Sequence, residues 1–284
     1  MIDIQFIHIL VFFPLMIALL IFNKAPKFIP LILVSTSIVS SFLADIVDLL
    51  SAFILVAYGF TCYVYATTYN KLFKTISSII ILALTIVLMS HMLSGIINPK
   101  IIDNYYFSED AIPFSKYLNF DKAIAGVFLL LYVVPKPKKV SYENNILSVL
   151  ITTSFISVAL LLALYFGKIN LNPKISELII PWALTNLFFT CYVEEAFFRG
   201  FIQENISSIL NKHKYNFHIA IFSSGILFGL VHLSAGLIYT CIAAIIGCSL
   251  AYIYYRTKNI YWPIFAHFGF NLIHFVFFTY PYIR

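Results

Sequence analysis

Residues 237–256 read LIYTCIAAIIGCSLAYIYYR, with no formal charge until Arg256 closes the run. A helix that crosses a bilayer needs about 20 predominantly apolar residues, and this stretch supplies them. It is too long and continuous for a membrane β-strand, which takes about 9–11 residues of alternating polarity. Ala243, Gly247 and Ala251 recur at every fourth position, as do Gly225 and Gly229 in the apolar run before it. Small residues at that spacing let two membrane helices approach closely.

The rest of the chain follows suit. Of its 284 residues, 61% are hydrophobic and only 11% charged, and the mean hydropathy is +0.94. A soluble domain is about 45–50% apolar and about 25% charged. Backbone groups in lipid must be satisfied within their own segment or in a closed barrel. The composition therefore predicts an all-α fold, a polytopic integral membrane helical bundle of about ten transmembrane helices. They fall near 4–22, 28–44, 49–68, 75–96, 122–135, 145–167, 177–199, 217–233, 237–256 and 260–279. The run at 122–135 is short and reads as re-entrant or as borrowing its flanks. The connection at 98–121 reads as a lid or a surface helix.

Charge gives orientation. The net charge is +6, but the bases are scattered through short loops and suggest no nucleic-acid partner. Alternate loops hold Lys24, Lys27, Lys71, Lys74, Lys136, Lys138, Lys139, Lys212, Lys214, Arg256 and Lys258, against Glu143 and Glu204. Asp45, Asp48, Asp103, Glu109 and Asp110 fall in the opposite set. The positive-inside rule makes the basic set cytoplasmic and puts both termini outside. The opening MIDIQFIHIL carries an acid and no cleavage pattern, and reads as a retained first span. Cys62, Cys191, Cys241 and Cys248 have no ligand spacing and read as free core thiols. Residues 1–144 form N-terminal helices of unassigned role, and their Asp45, Asp48 and His91 suggest no cluster. The chemistry is concentrated in a core at 145–284.

Within that core, CYVEEAFFRGF at 191–201 puts three charges in an apolar run. Ionisable groups inside a span cost about 2.5–3.5 kcal/mol each on insertion scales and mark function. On an α-helix Glu195 and Arg199 are i and i+4, a favourable ion-pair spacing, while Glu194 points about 100° away. The bland alternative is a solvated helix end. Phe228 and His232 lie one turn apart in the next run, and a turn at 211–216 brings His232 level with Glu194. His267 and Asn271 share one stripe of the last run, with His274 beyond them. A carboxylate and an imidazole together deprotonate a water. Asn271 and His267 offer N–H donors to the oxyanion formed when that water attacks a carbonyl. No serine, threonine or cysteine has a base beside it, so peptide hydrolysis by activated water fits best.

EEAFFR at 194–199, FGLVH at 228–232 and HFGFN at 267–271 match, in order, EExxxR, FxxxH and HxxxN motifs. With that spacing, about 177–279 resembles the CPBP family of intramembrane glutamic proteases, which includes type II CAAX prenyl endopeptidases and bacterial Abi or bacteriocin-processing homologues. The resemblance implies Glu194 as the residue activating water, with His232 as its partner. It implies Glu195 and Arg199 as completing the first motif, and His267 and Asn271 as the oxyanion hole. His274 lies outside the pattern. No cofactor or metal is implied. Eukaryotic relatives remove the last three residues of prenylated CAAX proteins. The Phe-, Ile-, Asn- and Lys-rich usage here suggests an AT-rich prokaryote and its cytoplasmic membrane. A membrane-associated peptide or protein is then the expected substrate. Two other readings stay open. One is a metal-dependent membrane hydrolase, although HExxH spacing is absent. The other is a non-enzymatic transporter or immunity-type binding protein that uses these charges as a gate.

Overall fold

The computed structural model describes residues 6–138 and 142–284. The N-terminal acid at Asp3, Lys139 and the side chain of Glu143 lie outside the described residues. In chain order the elements are α1 (Phe6–Ile21), α2 (Phe28–Leu43), α3 (Leu49–Thr67), α4 (Lys71–Met89), β1 (Lys100–Tyr105), β2 (Phe114–Tyr117) and α5 (Phe120–Phe128). There follow α6 (Tyr142–Tyr165), α7 (Ile179–Asn186), α8 (Tyr192–Glu195), α9 (Glu204–Ile209), α10 (Asn216–Leu230), α11 (Leu237–Thr257) and α12 (Tyr261–Phe277). A π-helical turn at Leu129–Val133 extends α5, and others at Leu187–Cys191 and Ala196–Gln203 flank α8. Residues 179–209 thus form one helical run.

Among the described residues, four helices are long and apolar enough to cross a membrane: α3, α4, the Asn145–Tyr165 part of α6, and α11. Ile7–Ile21, Phe28–Leu43 and Asn216–Leu230 are apolar but shorter. A multi-pass membrane helical bundle fits these lengths. The run at 122–135 yields only the short α5 and its π turn, and that at 177–199 is wound with π turns. The connection at 98–121 is a β-hairpin and not a surface helix. Its Ile101, Ile102, Tyr105 and Phe114 are strand formers. The Ser115 hydroxyl accepts the Asn104 N–H, closing the turn.

Contacts divide the chain into two compact units. The first comprises Met1–Ile102, Lys116–Pro135 and Leu187–Phe197. At its centre lies α5, in which every residue but Lys122 is buried. Glycines make that burial possible: a Cβ on Gly59 would stand 2.5 Å from the Phe128 ring, and one on Gly126 2.7 Å from Val193. Phe12 of α1 packs its ring against Phe120 at 6.3 Å and Phe189 at 5.9 Å. Several polar groups inside this unit are paired across helices or at helix ends. Pro14 deprives α1 of one backbone donor, and the Ser37 hydroxyl of α2 donates to the Val11 carbonyl a turn earlier. Tyr58 of α3 and Thr85 of α4 share a hydroxyl hydrogen bond of 2.8 Å. Asp48 and Asn70 cap α3 and α4, each accepting a first-turn N–H.

The second unit comprises Asp103–Ser115, Lys136–Asn186 and Phe198–Arg284. Here α11 packs against α6, α10 and α12. Its contact with α10 follows the small residues: a Cβ on Gly229 would stand 2.7 Å from Ala244 and from the Thr240 carbonyl. One on Gly225 would meet the Cys248 backbone at 2.6 Å, and one on Gly247 the Gly225 carbonyl at 2.8 Å. On its other side α11 presents Ile242, Ile246 and Leu250 to Ala159 and Ala163 of α6. Of the four cysteines, Cys62 and Cys191 are buried, Cys248 is half-buried and Cys241 is exposed on α11, which corrects the expectation of four core thiols.

After α12 the chain is pinned by a polar knot. Asp110 accepts from Ser108 at 2.7 Å, Thr279 at 2.8 Å and Asn170 at 3.0 Å. These hydroxyl and amide donors, Ser108 first, hold its carboxyl below the usual carboxylate value. Beside it, Trp182 stacks on Phe275 at 4.2 Å and donates its indole N–H to the Tyr280 hydroxyl.

Two outcomes are expected in detergent unfolding. Gly229→Ala destabilises by about 1–3 kcal/mol, because the added methyl meets backbone. Gly269→Ala has open space around it and gains about 0.5–1 kcal/mol from helix propensity. The lowered Asp110 pKa stabilises the fold above the unfolded value of 3.8, and this is lost as pH falls through the folded value. Asp110→Asn is therefore less stable than wild type at neutral pH, and the two unfolding curves converge in acid.

Candidate active site

The first unit holds the two glutamates. The helical run continues to Ile209, so Glu194 and Glu195 occupy its middle and not a solvated end. Glu195 is 0% exposed. Glu194 is 12% exposed and accepts from the Lys122 ammonium at 2.9 Å. Lys122 is thus the α5 residue that turns from the packed face toward a charge. A second cation stands near. Lys116 of β2 donates to the Thr190 hydroxyl at 3.0 Å, one turn before Glu194. Desolvation, reinforced by the like charge of Lys122, pulls the Lys116 ammonium down to about 8. The segments around α8 are π-helical, with i→i+5 bonds, so the 100° step of an α-helix does not carry through them. Such turns often occur at functional sites.

The same unit corrects a second expectation, since His91 belongs to a cluster. Its Nδ1 lies 2.8 Å from the carboxylate of Asp121, which is 1% exposed. Asn98 donates to that carboxylate at 3.1 Å and accepts the Phe120 N–H at 2.7 Å. The backbone N–H of Lys122 donates to it as well. The long separation of His91 and Asp121 in sequence hid this group. Lys116 and Lys122 were hidden likewise, the one sequence signal being a charge pair, Asp121–Lys122, opening an apolar run.

The second unit holds the remaining motif residues. Arg199 is 0% exposed and donates to the Gly247 carbonyl at 3.0 Å, with its guanidinium 4.7 Å from the Phe228 ring centre. Gln203, one turn on, donates to the Ala251 carbonyl at 2.9 Å. Phe228 is a central plate: the His232 ring lies 5.2 Å from it and the His267 ring 5.4 Å, edge on. His232 follows the last turn of α10, where its Nδ1 donates to the Phe228 carbonyl at 2.9 Å. In the neutral ring this leaves the lone pair on Nε2. Asn271 donates to the Asn186 side-chain carbonyl at 3.1 Å, which fixes its amide. Asn186, a lone amide in the apolar run PWALTNLFF, was missed from sequence.

His232, His267 and Asn271 line one cavity of about 60 Å³, together with Phe228, Tyr239 and His274. That volume holds a few waters, each needing roughly 10–15 Å³. The His274 Nε2 donates to the Thr279 carbonyl at 3.2 Å. The cavity therefore offers an imidazole lone pair, N–H donors and room for water among apolar walls. Among the described residues, no group of three His, Cys, Asp or Glu side chains is arranged to hold a metal ion.

No curated protein and no solved structure matches the chain. A family profile does match, that of type II CAAX prenyl endopeptidase Rce1-like proteins, at residues 176–273. The interval includes Glu194, Glu195, Arg199, His232, His267 and Asn271, and it ends before His274. Over residues 176–273 the chain is therefore similar to the type II CAAX prenyl endopeptidase Rce1-like family.

Proposed function

We propose that this protein is an intramembrane endopeptidase of the glutamic type, and that its protease core lies in residues 145–284. The observation that carries the reading is the cavity shared by His232, His267 and Asn271 inside the matched interval. In this reading Glu194 takes a proton from a water while His232 accepts a hydrogen bond from that water through Nε2. The hydroxide attacks the peptide carbonyl carbon, and the electron pair moves to the carbonyl oxygen. Donors on Asn271 and His267 stabilise that oxyanion. When the C–N bond breaks, the proton returns from Glu194 to the leaving amine. Arg199 and Glu195 shape the helix on which Glu194 stands. The substrate is a membrane-associated peptide or protein, for example the C-terminal anchor of an exported protein, processed in the bilayer of a prokaryotic cytoplasmic membrane.

A survey of protein termini in host membranes tests this. Against wild type, Glu194→Gln and His232→Ala lower processing of one precursor by ~10²–10⁴-fold, and Asn271→Ala by ~10²–10³-fold. Processing by the detergent-solubilised protein persists with a metal chelator and without an ion gradient. Loss to the chelator favours a metal hydrolase instead. If the three variants accumulate stably and no terminus changes, the chain is not a protease, and its charges belong to a gate or a binding surface.

A further inference from the structure

We infer that Lys122, which lies outside the matched interval, is a positioning residue for Glu194. The inference rests on the function proposed above. Charge on a carboxylate held away from water is sustained by a partner of opposite sign. Lys122 is that partner: the two side chains are 2.9 Å apart and each is only 12% exposed.

The fold fixes both ends of the pair. Four residues after Lys122 on the same helix, Gly126 seats α5 directly against Val193, the residue before Glu194. Any side chain at 126 would push α5 off and draw the ammonium away. The first turn of α5 is anchored independently by the carboxylate of Asp121. That group takes the Asn98 amide at 3.1 Å, the Lys122 N–H at 2.8 Å and the His91 ring at 2.8 Å. The Lys122 stem thus leaves from a point that packing and hydrogen bonds both determine. Its ammonium is a compact charge on a flexible stem, so it withdraws as the carboxylate is neutralised by the proton from water. Lys116, held on Thr190, adds a second positive charge from the hairpin. Through this device the N-terminal half of the chain takes part in the reaction.

The test compares Lys122→Gln, Lys122→Met and Lys122→Arg in the full-length protein, using the terminus that Glu194→Gln abolishes as readout. Processing is normalised to the monodisperse fraction in detergent, so a variant that folds poorly is still scored. Lys122→Gln and Lys122→Met are expected to lose at least ~10-fold in normalised processing. Lys122→Arg, which keeps the charge, is expected to stay within ~3-fold of wild type. A purely structural contact moves the monodisperse fraction and not the normalised rate. Wild-type processing by Lys122→Gln overturns the inference, and so does Lys122→Arg no better than Lys122→Gln. If Glu194→Gln abolishes no terminus, the proposed function fails and the inference falls with it.

Discussion

α10 and α11 touch backbone to backbone at Gly225, Gly229 and Gly247, and the second unit depends on that approach. With ordinary side chains there, the two helices would stand several ångströms further apart, at the usual interaxial distance of about 8–10 Å. The contact brings the Gly247 carbonyl within reach of Arg199, a buried guanidinium that needs acceptors to be tolerated away from water. It also brings Phe228 under that guanidinium and beside both imidazoles. The phenylalanine of the FxxxH motif is therefore a spacer. It sets how far the histidines of α10 and α12 stand from each other and from the arginine.

Much of this was legible in the sequence because it is local or periodic. Small residues every fourth position announced the α10 and α11 contact, and the adapters of a helix stripe announced that His267 and Asn271 share a face. Long apolar runs announced α3, α4, α6 and α11. What stayed hidden depends on distant partners. Lys122 and Glu194 meet only because α5 is folded into the interior of its unit, and no period in the sequence encodes that meeting. The pairing of His91 with Asp121 was lost for the same reason. The strands at 98–121, where a surface helix was one expectation, were hidden because their strand formers sit among acids and a proline, a composition equally suited to an exposed lid. The π turns around α8 carry no composition signal at all, so an ideal α-helical wheel does not describe the backbone on which Glu194, Glu195 and Arg199 stand.

Each unit treats its buried charge differently. In the second, Arg199 and Gln203 donate to backbone carbonyls of α11. In the first, Glu194 meets a lysine and Asp121 meets a histidine, a lone amide and a backbone N–H. Backbone acceptors hold a group in one place. Side-chain cations allow it to change protonation and let the partner move.

The burial of α5 has a consequence for how the protein is made. Even with the π turn that extends it, the helical run at 120–133 spans at most about 20 Å at 1.5 Å per residue, short of a bilayer. It cannot partition into lipid from the translocon as an independent unit. Its walls are α1, α3, α4 and the Leu187–Glu195 segment, and the last of these leaves the ribosome well after α5 does. Until that segment is made, α5 therefore lacks its final wall. Assembly of the first unit is in this sense a late, post-insertion event.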